Sequence, residues 1–279
     1  MSFKVGRSYM NKLLISTFLI VAFFIVSCGE SADEYIRSAE AKLQVEKYGD
    51  AITDLDKATE IDKESDIVWT LKGKAKFLND DLQGSLEDLN TSIKLNPKSE
   101  FAFYYRAYTN YFLGRLDSAK YDVNKVLSIN PANDSAYVLN ATILIDQDSL
   151  VAAETAYKKA LEINNKNIES YFGLGALYVS VAEYEVAIDF YDQALKLDPK
   201  RAEAYINIGV CFTELKNYQA SMQSYSKAIE LQPESALAYF NRAFAKIQLG
   251  DRIGACSDWS KAGELGYTDA YNLIRDNCK

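Results

Sequence analysis

The chain has 279 residues, 48% of them apolar, with 13 glycines and 4 prolines. That composition excludes a disordered or linker-rich chain and leaves room for two compact domains or one elongated repeat array. The formal charge of −8 gives no footprint for nucleic acid, and the absence of histidine removes Ser-His-Asp and Cys-His nucleophile activation and every His-ligated zinc site.

Residues 1–27 read as a secretory signal. Lys4, Arg7 and Lys12 form a basic leader without an acid, and Leu13 to Val26 is an apolar run of 14 residues broken only by Ser16 and Thr17. A membrane span needs ~20 residues, so the run is short for one. It ends in Ile25-Val26-Ser27-Cys28, which resembles the lipobox of bacterial lipoproteins, with a small residue immediately before an obligatory cysteine. The resemblance implies cleavage before Cys28, a diacylglycerol on its thiol and acylation of the new amine, so that residues 28–31 become a lipidated tether. Several acyl chains, at about 0.8 kcal/mol per buried CH₂, hold far more firmly than one. The competing reading is an uncleaved anchor with an incidental cysteine.

Gly29 follows the cysteine, not the Asp that retains many enterobacterial lipoproteins in the inner membrane. An outer-membrane location is expected, on the periplasmic or the surface face. Glu30, Asp33 and Glu34 resemble the surface-export signal of some gram-negative lineages, or they complement the dipole at the start of the first helix. Without residues 1–27 the body holds 28 basic and 39 acidic residues, a net of −11, which suits solubility and a basic partner.

The rest of the chain is periodic. Pro97, Pro131, Pro199 and Pro233 are spaced by 34, 68 and 34 residues. Tyr35, Trp69, Phe103, Tyr137, Tyr171, Tyr205 and Tyr239 mark a second phase of the same 34-residue period. Three further phases hold small residues: Ala39, Gly73, Ala107, Ala141, Gly175, Gly209 and Ala243; Ala51, Ser85, Ala119, Ala153, Ala187, Ser221 and Ala255; and Ala58, Ser92, Val126, Ala160, Ala194, Ala228 and Ala262. This pattern resembles the tetratricopeptide (TPR) family: aromatic at position 4, Gly or Ala at 8, small at 20 and 27, Pro at 32. The resemblance covers residues 32–267 and implies an all-α fold, a right-handed α-solenoid of seven helix-turn-helix repeats (32–65, 66–99, 100–133, 134–167, 168–201, 202–235 and 236–267) with a capping helix over 268–279.

The column chemistry fits two packed helices, A and B, per repeat. The aromatic fills a hole against the next repeat, small residues let A and B approach, and proline ends helix B. Lys63 and Asn165 stand where proline is expected, so those turns form without the ring, and Ser38 takes a usually apolar position in the first repeat. Tyr271, Leu273 and Ile274 are expected to cover the last apolar face. The stretch 255–273 also resembles a Sel-like repeat, a TPR relative.

Cys211, mid-helix in the sixth repeat, reads as a buried small hydrophobe. Cys256 lies early in the last helix B and Cys278 late in the cap. Antiparallel packing brings such residues together, so a Cys256–Cys278 disulfide is expected in an exported chain, with two free thiols as the alternative.

The TPR resemblance implies a groove lined by positions 2, 5, 9 and 12 of helix A. Here those positions supply Phe101, Tyr104, Tyr108 and Tyr111, then Phe172, Ile206 and Val210, then Phe240 and Phe244, with Asn207 and Asn241 beside them at position 6. The set describes an aromatic and aliphatic peptide-binding surface, although some of these rings are expected to pack against neighbouring helices. Position 5 never carries lysine, which argues against a clamp for chaperone C-terminal carboxylates.

Neither Asp54 with Asp56 nor Asp80 with Asp81 converges within a helix, and they read as solvated positions. No phosphate loop, Cys-x-x-Cys or HExxH motif occurs. No cofactor, metal or catalytic residue is expected. The leading expectation is a membrane-tethered scaffold for a protein or peptide partner. Its plan resembles pilotins of secretin assembly, TPR lipoproteins of outer-membrane protein insertion, and adaptors for envelope hydrolases. The alternatives are a glycan-binding, uptake-associated lipoprotein and a small-ligand binder.

Overall fold

A computed structural model describes residues 31–278, so the signal segment and Cys28 lie outside the described residues. Every described element is a helix, and the chain forms two compact units that meet at Ile129 and Asn130. The first unit holds α1 (Ala32–Gln44), α2 (Tyr48–Ile61), α3 (Asp66–Leu78), α4 (Leu82–Leu95), α5 (Glu100–Phe112) and α6 (Leu116–Ile129). The second holds α7 (Asp134–Asp146), α8 (Leu150–Ile163), α9 (Ile168–Ser180), α10 (Tyr184–Leu197), α11 (Ala202–Glu214), α12 (Tyr218–Leu231), α13 (Ala236–Gln248), α14 (Arg252–Glu264) and the short α15 (Ala270–Asn277). Within each unit, consecutive helices pair as A and B, and each B packs on the next A.

Local chemistry sets the helix ends. Ser31 and Glu34 close a reciprocal capping box at the start of α1, which gives Glu34 a place in that helix. Ser65, Asn133, Asn167 and Ser235 cap other A helices, while Asp81, Asn217 and Asp251 cap B helices. Every A-to-B turn bends through a left-handed residue at position 15: Glu46, Asp80, Gly114, Asp148, Ala182, Lys216 and Gly250. Two of the seven are glycine, so five accept a strain of about 1 kcal/mol each. The B-to-A turn rests on position 31. The side-chain oxygen of Asp62, Asn96, Asn130, Asn164 or Asp198 accepts the backbone N–H two residues on, at 3.0–3.1 Å. The turns at Lys63 and Asn165 therefore close as the proline turns do.

All three small columns are buried. What they make room for is position 24: Leu55, Leu89, Val123, Tyr157, Tyr191, Tyr225 and Trp259. A methyl at Gly175 would lie 2.6 Å from the Tyr191 ring, and one at Gly209 the same distance from Tyr225. Tyr157 takes its space from Gly173 of the following helix instead. The position-4 aromatics are mostly half-buried, with their polar tips tied to the preceding turn. Trp69 Nε1 donates to Lys63 O at 2.8 Å, Tyr171 Oη to Asn165 O at 3.1 Å and Tyr205 Oη to Pro199 O at 3.4 Å. Phe103, which has no polar tip, is the buried one.

Asp54 corrects the expectation of a solvated position. It is 7% exposed and receives the Lys42 ammonium, and it belongs to a column at position 23 with Asp88, Asp122 and Asp258. Lys76 pairs with Asp88 at 2.7 Å, Arg106 grips Asp122 through two nitrogens, and Arg242 with Lys246 hold Asp258 at 2.8 Å. Each pair bridges helix A to helix B of one repeat. In three middle repeats the same place is filled otherwise: Leu144 and Ala156 share a core cluster, Phe190 stacks on Tyr178 at 5.4 Å, and the Ser224 hydroxyl donates to Ala220 O of its own helix at 3.0 Å. Asp56 pairs with Lys72 at 2.7 Å, Asp80 forms a left-handed turn, and Asp81 caps α4.

At the C-terminal end, Leu273, Ile274 and Tyr267 pack on Ala243, Ala255, Trp259 and Ala262. Tyr271 is half exposed and lies over Gly263. Cys256 and Cys278 form a disulfide with their Cα atoms 5.8 Å apart, and Arg252 Nε donates to Asn277 O beside it. Cys211 is fully buried, and burial pushes its thiol pKa up to about 11.

Gly175→Ala is expected to lower stability by about 1–3 kcal/mol, because the Tyr191 ring must leave its slot; chemical denaturation measures it. The buried carboxylates differ in sign. Burial pushes Asp54 up, but hydrogen bonds from Lys42 and Ser38 and the charges of Lys42 and Lys57 take it below its ordinary value. Its stabilisation is full above the ordinary carboxylate pKa and is lost as pH falls through the lowered one. At Asp88 burial outweighs Lys76 and raises the pKa, so ionisation there opposes folding at neutral pH. Asp54→Asn should therefore destabilise the chain at about pH 7 and progressively less as pH falls below the ordinary carboxylate pKa, while Asp88→Asn costs little throughout; urea titrations at neutral and acid pH test this.

Candidate functional site

The A helices of each unit present one shared face, and the two units are described separately. In the first unit this face is dominated by α5, whose sequence Glu100–Phe112 carries seven aromatic residues. Phe103 turns into the core, while Phe101 and Phe112 are 67% and 61% exposed at opposite ends of the helix. Between them Tyr104 and Tyr108 meet edge to face at 5.1 Å, and Tyr111 meets Phe112 at 5.6 Å. Phe77 from α3 closes the cluster, 6.1 Å from Tyr108 and 5.6 Å from Phe112. Phe101, Tyr104, Tyr108 and Tyr111 are thus brought onto one helix, with Phe101 fully presented and the tyrosines half-buried.

Beside this cluster a cleft of about 400 Å³ runs across α1, α3 and α5, lined chiefly by Glu40, Ile67, Leu71, Lys74, Phe101 and Tyr105. Ile67 is 61% exposed, and Lys74 Nζ lies 5.4 Å from the centre of the Tyr105 ring. None of the cleft residues except Phe101 stands among those expected from sequence. Ile67, Lys74 and Phe77 occupy positions 2, 9 and 12 of the second repeat, so the same positional reading extended one repeat back would have found them. Tyr105 sits at position 6, beside the four positions used. A second cleft of about 410 Å³ opens over the Arg106–Asp122 pair, with Asn90, Asn110, Arg115 and Tyr121 around it. Its floor is the A-to-B bridge of the third repeat.

In the second unit the expected surface is largely taken up by packing. Phe172 is sandwiched between the Tyr191 ring at 5.2 Å and the Arg201 guanidinium at 4.2 Å, and Arg201 is held in turn by Glu169. Ile206 corrects the expectation of a groove contact: it is 8% exposed and packs with Tyr225, Ala228 and Ala238, with Val210 against the same cluster. Asn207 is spent on the Tyr191 hydroxyl, whose ionisation is suppressed first by burial. Phe240 is covered by Tyr267 of the C-terminal turn at 4.3 Å. Asn241 is half-buried, and Phe244 keeps 37% of its surface exposed with its edge on Trp259.

Among the described residues no group of three or more Cys, Asp or Glu side chains is placed to hold a metal ion, and no helix is long and apolar enough to cross a membrane. What the first unit offers is an uncharged aromatic ridge with a cleft that carries one base, Lys74, and two acids, Glu40 and Asp66.

Residues 168–201 and 202–235 each match the tetratricopeptide repeat family. The whole described chain is similar in structure to a tetratricopeptide repeat protein from Parabacteroides merdae, at 20% identity and a TM-score of 0.65, covering 90% of this chain and 100% of that one. It is also similar to pilF of Pseudomonas aeruginosa, at 14% identity and a TM-score of 0.67 over 77% of this chain and 98% of that one. A third likeness is to YrrB, described as a TPR protein with an unusual peptide-binding site, at 22% identity and a TM-score of 0.50 over 66% of this chain and 95% of that one. No curated protein matches the chain in sequence. Residues 168–235 therefore carry two tetratricopeptide repeats, and the described residues have a TPR-like fold of paired helices.

If Phe101 is a presented surface ring and Phe103 a core ring, their truncations separate. Phe101→Ala should stay within about 0.5 kcal/mol of the parent chain, and Phe103→Ala should cost about 3–5 kcal/mol, as read by chemical denaturation.

Proposed function

We propose that this chain is a lipid-anchored scaffold of the bacterial cell envelope, tethered through Cys28 to the outer membrane, which holds a protein or peptide partner on the A face of its repeats. The observation that carries the binding role is the ridge on α5. Phe101 and Phe112 hold large apolar surface in water, next to half-buried tyrosines and the exposed Ile67. Surface of this kind on a folded chain marks an interaction site, and tyrosine is a frequent anchor in such sites. Capture of an extended or helical segment is the recognition mode that a helical groove serves.

The tether rests on the apolar run that ends in Ser27-Cys28. The Cys256–Cys278 disulfide supports an oxidising compartment. A face lined by α5 and a single acyl-anchored end together suit an adaptor that concentrates its partner at a membrane surface.

Two measurements test the halves separately. Metabolic labelling with a fatty-acid analogue should mark the parent chain and leave Cys28→Ser unlabelled and released from membranes; equal labelling of both would remove the anchor. Affinity capture from mildly solubilised envelopes should recover a defined partner with the parent chain and lose it with Phe101→Ser plus Tyr108→Ala. Equal recovery would move the site off this face.

A further inference from the structure

The cleft across α1, α3 and α5 combines exposed apolar side chains with charges that the protein leaves unused. Lys74 makes no ion pair among the described residues; its ammonium rests against the Tyr105 ring. Glu40, which lines the same cleft from α1, makes no ion pair either. The third charged group there, Asp66, is engaged: its carboxylate accepts Asn96 Nδ2 at 2.8 Å. The charges at positions 7, 11 and 23 behave differently, since they close on one another between the helices. Lys74 and Glu40 both occupy position 9, with Lys74 half-buried beside Leu71.

The spacing of these groups translates into a sequence pattern. Ile67 and Lys74 stand seven residues apart on α3, a rise of about 10 Å along the helix axis. An extended chain advances ~3.3 Å per residue and covers that rise in about three. Glu40 lines the same cleft from α1, on the far side of Lys74 from α5. Resting on the reading of the A face as a capture surface, we propose that this cleft binds an extended peptide carrying a large apolar residue, an acidic residue three positions away, and a basic residue beyond the acid. The apolar side chain lies between Ile67 and Phe101, the acid on Lys74 and the base on Glu40. The charges fix the direction and register of the peptide, and the apolar anchor supplies most of the affinity.

The test uses the full-length chain in detergent micelles, immobilised and sorted against a displayed library of random dodecapeptides. Binding of the recovered peptides is then measured by fluorescence anisotropy. The expected result is enrichment of an acid three residues from a large apolar side chain. Lys74→Glu should weaken those peptides about tenfold, or about 1.4 kcal/mol, and exchange of the peptide's acid for lysine should restore them. Circular dichroism of each variant checks the fold, which these solvent-facing side chains do not hold together. Recovered peptides that ignore both Lys74→Glu and Ile67→Ser, yet are lost with Phe244→Ser, would overturn the assignment and leave A-face capture standing on the second unit. A seven-residue spacing of acid and anchor would also overturn it, because that is the signature of a docked helix. Recovery of no peptide would remove the capture reading itself, and this inference with it.

Discussion

Each repeat depends on one contact: a bulky side chain at position 24 of helix B seated against a residue with little or no side chain at position 8 of helix A. At Tyr191 and Tyr225 the opposing residue is glycine and an added methyl would collide with the ring, while Tyr157, opposite Ala141, takes its space from Gly173 of the next helix. Opposite Val123, alanine suffices. The interior of a protein is close-packed, so the A-to-B distance of a repeat is set by the sum of the two side chains. The other helix contacts follow from that distance, including the burial of the small columns at positions 20 and 27.

A second bridge between A and B is more variable. Four repeats use a buried aspartate at position 23 with a lysine or arginine from helix A; the middle repeats use Leu144 with Ala156, or the stacked Tyr178 and Phe190. Both solutions fill the same space. A buried ion pair gains little net stability over an apolar pair, because desolvation offsets the attraction, but it penalises any register in which the aspartate loses its partner. The first three repeats and the last carry it, and the apolar version lies between them. Ser38, out of place on an apolar pattern, makes sense beside it as a hydrogen-bond donor to Asp54.

The functional face shows the same contrast between pattern and packing. Position 5 of helix A yields a half-buried Tyr104 in one unit and a buried Ile206 in the other. Phe240 would be presented but for Tyr267, which folds back from the C-terminal turn onto it. The disulfide that fixes α15 on α14 holds that turn in place. The first unit has no such cover on α5, and there Phe101 and Phe112 keep their apolar surface in water beside a cleft with unspent charges.

The sequence by itself determined the helical class, the 34-residue unit, the positions of the turns and the small-residue columns, because these follow from periodicity and from residues such as proline whose backbone behaviour is local. It also placed Phe101, Tyr104, Tyr108 and Tyr111 on a single helix face. The left-handed residue at position 15 stayed hidden, since five non-glycine side chains of four kinds occupy it. So did the Asx turn at position 31, which the turns at Lys63 and Asn165 share with the proline turns. Asp54 read as solvated because the partner that buries it, Lys42, lies on another helix, and the spacing of two residues along a chain does not report distance across a pair. Which aromatic rings face water, which carboxylates are paired and which charges remain free were decided only by the tertiary structure. Burial depends on what the neighbouring helix brings to the same spot, and a one-dimensional pattern lists candidates for a face without saying what covers it.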